Sequence, residues 1–178
     1  VPGLAKTRLA PTIGAAAAAR LQRRFTLDTV HTAQAAALGP VRLWCAPDAG
    51  HRFFRALGRR PGLALLPQPA GDLGARMQAA VAQHFAQTPQ LPLLVVGTDC
   101  PVLSPGHLQA AARALAQHDA VAIPALDGGY VLLGLRRPLP GVFDGIAWST
   151  DQVMAQTRER LRTAGARWHE LPPLWDVD

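Results

Sequence analysis

The chain has 178 residues, long enough for one domain that buries roughly two thirds of its unfolded surface. Its 49% hydrophobic and 17% charged residues exclude a disordered chain, and no apolar run approaches the roughly 20 residues needed to cross a bilayer. The net charge of +6 suits an anionic partner, yet the seventeen arginines are spread along the chain without aromatic interleaving, so no nucleic-acid-binding face is expected.

Residues Val1 to Arg8 lack the charged-then-apolar plan of a signal peptide, which predicts a cytoplasmic protein. The two cysteines, Cys45 and Cys100, lie in or just after apolar runs and read as buried thiols; two are too few for a zinc cluster. Seventeen arginines accompany a single lysine, Lys6, which marks that position for attention.

In chain order, the sequence opens on the loop Val1-Pro2-Gly3, where an α/β domain usually begins with a strand. An alanine-rich helix is expected from about Thr12 to Leu38, then a buried strand over 41–46. Gly71-Asp72 opens a helix whose stripe Leu73, Met77, Val81 and Phe85 forms one apolar face. A second strand covers 93–97, and Ser104-Pro105 supplies a cap and a first-turn proline for the next helix. Strands over 120–124 and 130–135 follow, and Ser149-Thr-Asp-Gln152 has capping-box spacing. Strands alternating with helices predict an α/β protein with a largely parallel sheet covered on both faces. With no internal repeat or linker, residues 1–178 are expected to form a single domain, clipped at both ends because Trp175-Asp-Val-Asp178 stops where a helix start is natural.

Five segments could carry chemistry. In Pro2-Gly3-Leu-Ala-Lys6-Thr-Arg8, a glycine lets the backbone approach a ligand and two cations flank a hydroxyl, so the loop suits a phosphate; the alternative is an ordinary basic turn. It is not a Walker loop, because Ala5 stands where that pattern needs glycine. In Gly97-Thr98-Asp99-Cys100-Pro101, a carboxylate follows the most hydrophobic strand, at the crevice where open α/β sheets bind ligands, and Asp99 could hold magnesium against nucleotide phosphates. A turn aspartate bonding its own backbone is the alternative.

Asp127-Gly128-Gly129-Tyr130 would let a substrate lie close to the backbone, and it equally makes a hairpin turn. Gln68-Pro-Ala-Gly71-Asp72-Leu-Gly74 offers donors for a base or ribose, or is a capped loop. The terminal segment contributes Asp176 and Asp178, either of which could complete a metal site. The six histidines have no partner at ligand spacing and read as structural.

With Gln68-x-x-Gly-Asp-Leu-Gly-x-Arg-Met77, Trp148-Ser-Thr150 and the other motifs above in this order, the sequence resembles the bacterial arsenosugar-biosynthesis-type glycosyltransferases of the nucleotide-diphospho-sugar transferase superfamily. The resemblance implies a Rossmann-like type A glycosyltransferase fold, three α/β/α layers around a mostly parallel sheet. It also implies that the family's first strand and C-terminal continuation are missing here. Carried over by position, Lys6 and Arg8 grip phosphate, Asp99 holds Mg2+ or Mn2+, and residues 68–74 lie near the nucleotide. Gly3, Thr98, Gly128 and Gly129 are grouped with these as donor-binding, Asp127 as an acceptor base and Asp176 as a further metal ligand. The implied reaction is glycosyl transfer from a nucleotide-diphosphate sugar to a small-molecule acceptor. The alternatives are nucleotidyl transfer from a nucleoside triphosphate, or an inactive nucleotide-binding module.

Overall fold

A computed structural model describes residues 6–177. Gly3 and Asp178 therefore lie outside the described residues. The order is α1 (Ala10–Ile13), α2 (Ala15–Ala35), β1 (Val41–Cys45), α3 (Arg52–Leu57), β2 (Leu63–Pro67), α4 (Leu73–Gln87), β3 (Leu93–Val96), α5 (Pro105–Ala114), β4 (Ala120–Pro124), β5 (Tyr130–Leu135), α6 (Val153–Thr163) and β6 (Trp168–Glu170).

The core is built on β4 and β5, where Ala120, Val121, Ala122, Ile123, Leu132, Leu133 and Leu135 are each 0% exposed. Because strand side chains alternate between faces, these residues divide between two layers. Ala120, Ala122, Leu133 and Leu135 pack with Met77, Val81 and Phe85 of α4 and with Met154 and Leu161 of α6. Val121, Ile123 and Leu132 pack on the other side with Leu108 and Ala111 of α5, Leu115 and Ala36. Helices thus cover both faces, giving the expected three-layer α/β arrangement.

The strands form a two-stranded sheet, β1-β2, and a four-stranded sheet ordered β3-β5-β4-β6. β1 pairs parallel with β2 and β4 parallel with β6. β5 runs against the grain, antiparallel to both β3 and β4. This follows from the short turn after β4, since a parallel return needs a crossover of a dozen residues or more. β3 is an edge strand of its sheet.

The alanine-rich segment is two helices, because Gly14 adopts φ 82° and breaks the chain between α1 and α2. Asp72 caps α4 through its carboxylate, which accepts from the Ala75 amide, and Ser104 with His107 forms a capping box on α5. The spacing at Ser149 does not produce a cap: α6 starts later, after Gln152, without a side-chain cap bond, and Ser149 itself sits at φ 63°. Among the described residues, no helix is long and apolar enough to cross a membrane. Both cysteines are free and buried, and burial pushes the Cys45 thiol up to about 11.

Candidate functional site

Where β3 ends, the chain turns through Gly97-Thr98-Asp99, and three separate segments meet there. The Lys6 ammonium donates to Asp99 Oδ2 at 2.8 Å; the lysine side chain is 6% exposed and the aspartate 41%. Lys6 also donates to the Val177 carbonyl, while the Val177 amide donates to the Asp99 carbonyl at 2.9 Å. The Cys100 thiol donates to the Trp175 carbonyl at 3.2 Å. The segment from Trp175 to Val177 is thereby stitched to the loop after β3.

The same terminal segment reaches the β4–β5 turn. Leu174 bridges Ala125 in parallel, and its carbonyl accepts from the Leu126 amide at 3.0 Å. Asp127 lies at the tip of that turn, exposed, with Oδ1 accepting from the Gly129 amide at 2.8 Å. The hairpin reading of this motif is therefore realised. Asp176 is partly withdrawn from water, and that burial, followed by the charges of Asp127 and Asp99, raises its carboxyl above the usual range. Asp176 thus lies within electrostatic reach of Asp127, Asp99 and Lys6.

A second group forms around residues 68–76. Arg76 donates from Nη1 to Gln68 Oε1 at 3.1 Å and from Nε to the Gly71 carbonyl at 2.9 Å, while the Gln68 amide donates to the Cys45 carbonyl at 2.9 Å. The Asp72 carboxylate is engaged in capping α4. Gly74 is buried: a Cβ there would lie 2.5 Å from Trp148 Nε1, so its smallness lets the helix start close against the indole.

Between the two groups is a cavity of about 300 Å³ lined by Gln22, Arg23, Pro47, His51, Phe54 and Arg76, among others. Gln22 connects it to the first group, because its amide donates to Thr98 Oγ1 at 2.9 Å, next to Asp99. The structure therefore brings Lys6, Asp99, Asp127 and Asp176 together and sets Arg76, which is bonded to Gln68 and Gly71, in the wall of the adjoining cavity. Arg8 is exposed two residues beyond Lys6. Gln22, Arg23 and the aromatic pair Phe53 and Phe54 were not singled out from sequence. In a helix, a lone polar residue looks like a solvated face; only the Gln68-to-Met77 motif, which contains Arg76, carried a signal.

Among the described residues, no three histidine, cysteine, aspartate or glutamate side chains form a ready-made metal cluster. The donor chemistry nonetheless fits magnesium, which takes hard oxygen ligands and commonly binds through one or two carboxylates plus phosphates and water. Asp99 and Asp176 are the carboxylates that fit this role.

A family model described as an uncharacterized protein conserved in bacteria, DUF2064, matches residues 29–150. The chain is 31% identical over 140 residues to the 3-phospho-D-glycerate guanylyltransferase of Phenylobacterium zucineum (strain HLK1), covering 76% of this chain and 63% of that relative. It therefore spans a little under two thirds of the relative's length. A crystal structure from Desulfovibrio desulfuricans G20, provisionally described as a nucleotide-diphospho-sugar transferase, superposes with a TM-score of 0.89 at 32% identity, over 100% of this chain and 78% of that one. The arsenosugar-specific grouping is not among these matches. With its fold shared with a nucleotide-diphospho-sugar transferase structure, the chain belongs to the bacterial DUF2064 family.

Proposed function

We propose that this protein is a transferase that takes a nucleotide-linked donor, with glycosyl transfer from a nucleotide-diphosphate sugar as the first reading. The observation that carries it is the meeting of Lys6, Asp99 and Asp176 at the carboxyl end of β3, beside a cavity of about 300 Å³ that Gln22 joins to Thr98. A cavity of that size is in the range that holds a small ligand, and its mix of aromatic and polar lining suits a nucleoside. The fold shared with the Desulfovibrio structure supports the same reading.

In this reading Lys6 and Arg8 bind the diphosphate and Gln68, Gly71 and Arg76 border the nucleoside. Asp99 and Asp176 hold magnesium, whose chemistry is to neutralise charge on the departing phosphate oxygens. The protein's own part is positioning and charge stabilisation. Asp127, exposed on its turn, is the candidate to take the acceptor's proton; Gly128 beside it is packed against the Asp151 backbone, so the paired glycines serve the turn and do not make room for a substrate there.

Nucleotidyl transfer is the second reading, favoured by the relative named a guanylyltransferase. The two differ in the bond broken: attack at the sugar's anomeric carbon releases a nucleoside diphosphate, whereas attack on an α-phosphate releases pyrophosphate. Incubating the protein and magnesium with acceptors and either nucleotide sugars or nucleoside triphosphates separates them by which product appears. Donor turnover in neither arm, with no binding in a nucleotide panel, would overturn the transferase proposal.

A further inference from the structure

We infer that Lys6 is a displaceable counter-ion of Asp99, so that a divalent cation and a diphosphate enter the site together by exchanging partners with this ion pair. The inference rests on the nucleotide-donor reading above and adds an order and a coupling to it. Lys6 is the chain's only lysine and its side chain is nine-tenths buried, yet both of its recorded partners belong to the candidate site: Asp99 Oδ2 and the Val177 carbonyl. Its backbone is at φ 49°, the left-handed region that a residue with a Cβ rarely adopts, so tertiary contacts hold the side chain where it is.

A lysine is suited to exchange. Its charge is compact and sits on a flexible stem that can be re-aimed, unlike the planar fork of the arginines that supply every other cationic side chain of this type here. A cation arriving alone at Asp99 meets an ammonium already seated 2.8 Å from the same carboxylate. A diphosphate arriving alone meets an ammonium already neutralised, with Asp99 behind it and Asp127 and Asp176 near. When both arrive, the cation takes Asp99 and the phosphate takes Lys6, so neither charge is left alone. Each ligand therefore strengthens the other, and by linkage the strengthening is reciprocal. Drawing Lys6 away also releases the Val177 carbonyl, loosening the terminal segment as the donor binds.

The test uses the full chain with Mn2+ as the metal probe and inorganic pyrophosphate as the part common to nucleotide donors. Free Mn2+ is counted by its electron paramagnetic resonance signal, and pyrophosphate binding is measured by calorimetry in chelator and in metal. In the parent, pyrophosphate should tighten Mn2+ binding by about fivefold or more, the lower end of typical coupling. Lys6→Gln should bind Mn2+ alone about fivefold more tightly than the parent. Asp99→Asn should bind pyrophosphate in chelator more tightly than the parent and lose the metal enhancement. Circular dichroism establishes that both variants fold.

If Lys6→Gln binds Mn2+ no better than the parent, or if the parent binds metal and pyrophosphate independently, the exchange is overturned. The Mn2+ arm needs no nucleotide, so it decides this inference separately. Failure of the transferase reading would show instead as absence of binding across the nucleotide panel.

Discussion

At Asp176 a carboxylate is partly removed from water, and the neighbouring Asp127 and Asp99 add like charge; both hold its proton to a higher pH than in the unfolded chain. The sign of the consequence follows by linkage. The native state binds the extra proton between the unfolded value near 3.8 and the raised folded value, so the stability it contributes is full below that window and lost as pH rises through it. Asp176→Asn should therefore melt higher than the parent at pH 7 without metal, and the gap should close on acidification toward pH 3. Melting curves across that range check it; a constant gap would refute the assignment. The same variant should lose donor turnover, because the proposed metal site is then left with Asp99. These residues were legible in sequence because aspartate after an apolar strand and a solitary lysine are unusual choices. The cavity's Gln22 and Arg23 were not, because on the helix Ala15–Ala35 they resemble ordinary surface residues and only the fold sets them against Arg76.

Elements hold the site through close contacts that permit little substitution. Gly128 sits at φ 93°, and a Cβ there would fall 2.2 Å from the Asp151 carbonyl oxygen, a backbone atom that cannot swing aside. Its own carbonyl accepts from Met154 at the start of α6. Gly128→Ala should cost about 3 kcal/mol through combined strain and overpacking, read as a lowered urea midpoint. The middle of α6 is tied to β6 by Arg158, whose Nε and Nη2 each donate to Glu170 at 2.8 Å. The Arg158 guanidinium holds the Glu170 carboxyl below its usual range, against the burial that raises it. Here the sign reverses: the bridge stabilises above the unfolded value near 4.5 and is lost as pH falls through the folded one. Glu170→Gln should cost about 0.5–1 kcal/mol at pH 7, and nothing once the carboxylate is protonated, as paired melts at pH 7 and pH 2 would show. The strands readable in advance are apolar runs, continuous in β3, β4 and β5 and interrupted only by Arg42 in β1. β6 is Trp-His-Glu at a sheet edge, too short and polar to show a period, and β2 ends on a proline, which disguises it as a loop. At Ser149 the capping spacing was present but the backbone went left-handed, because Thr150 bonds back to the Ala147 carbonyl and turns the chain before α6 begins.

Across the whole molecule, the candidate site draws on parts that have little else in common. Lys6 precedes the first helix, Asp99 follows β3, Asp127 caps the β4–β5 turn and Asp176 lies beyond β6. Gln68 and Arg76 stand beside the other sheet, β1-β2. The two sheets share no strand pairing, whereas the cavity is lined by α2, the segment after β1, α3 and α4 together. A donor spanning from this cavity to Asp99 would bridge regions that the strand ladders leave unconnected, and it would bind the native state alone. Such a ligand at about one hundred times its dissociation constant adds about 2.7 kcal/mol. At about 2–4 °C per kcal/mol for a chain of this size, that is a rise of about 5–10 °C in melting temperature. The rise should need magnesium and a nucleotide together, and Lys6→Gln should reduce it to a degree or two, because the phosphate loses its cation while the cavity remains. Differential scanning calorimetry of parent and variant, with nucleotide, magnesium, both and neither, provides the measurement. An equal rise in both proteins would place the donor away from Lys6, and an equal rise without magnesium would remove the metal from the binding step.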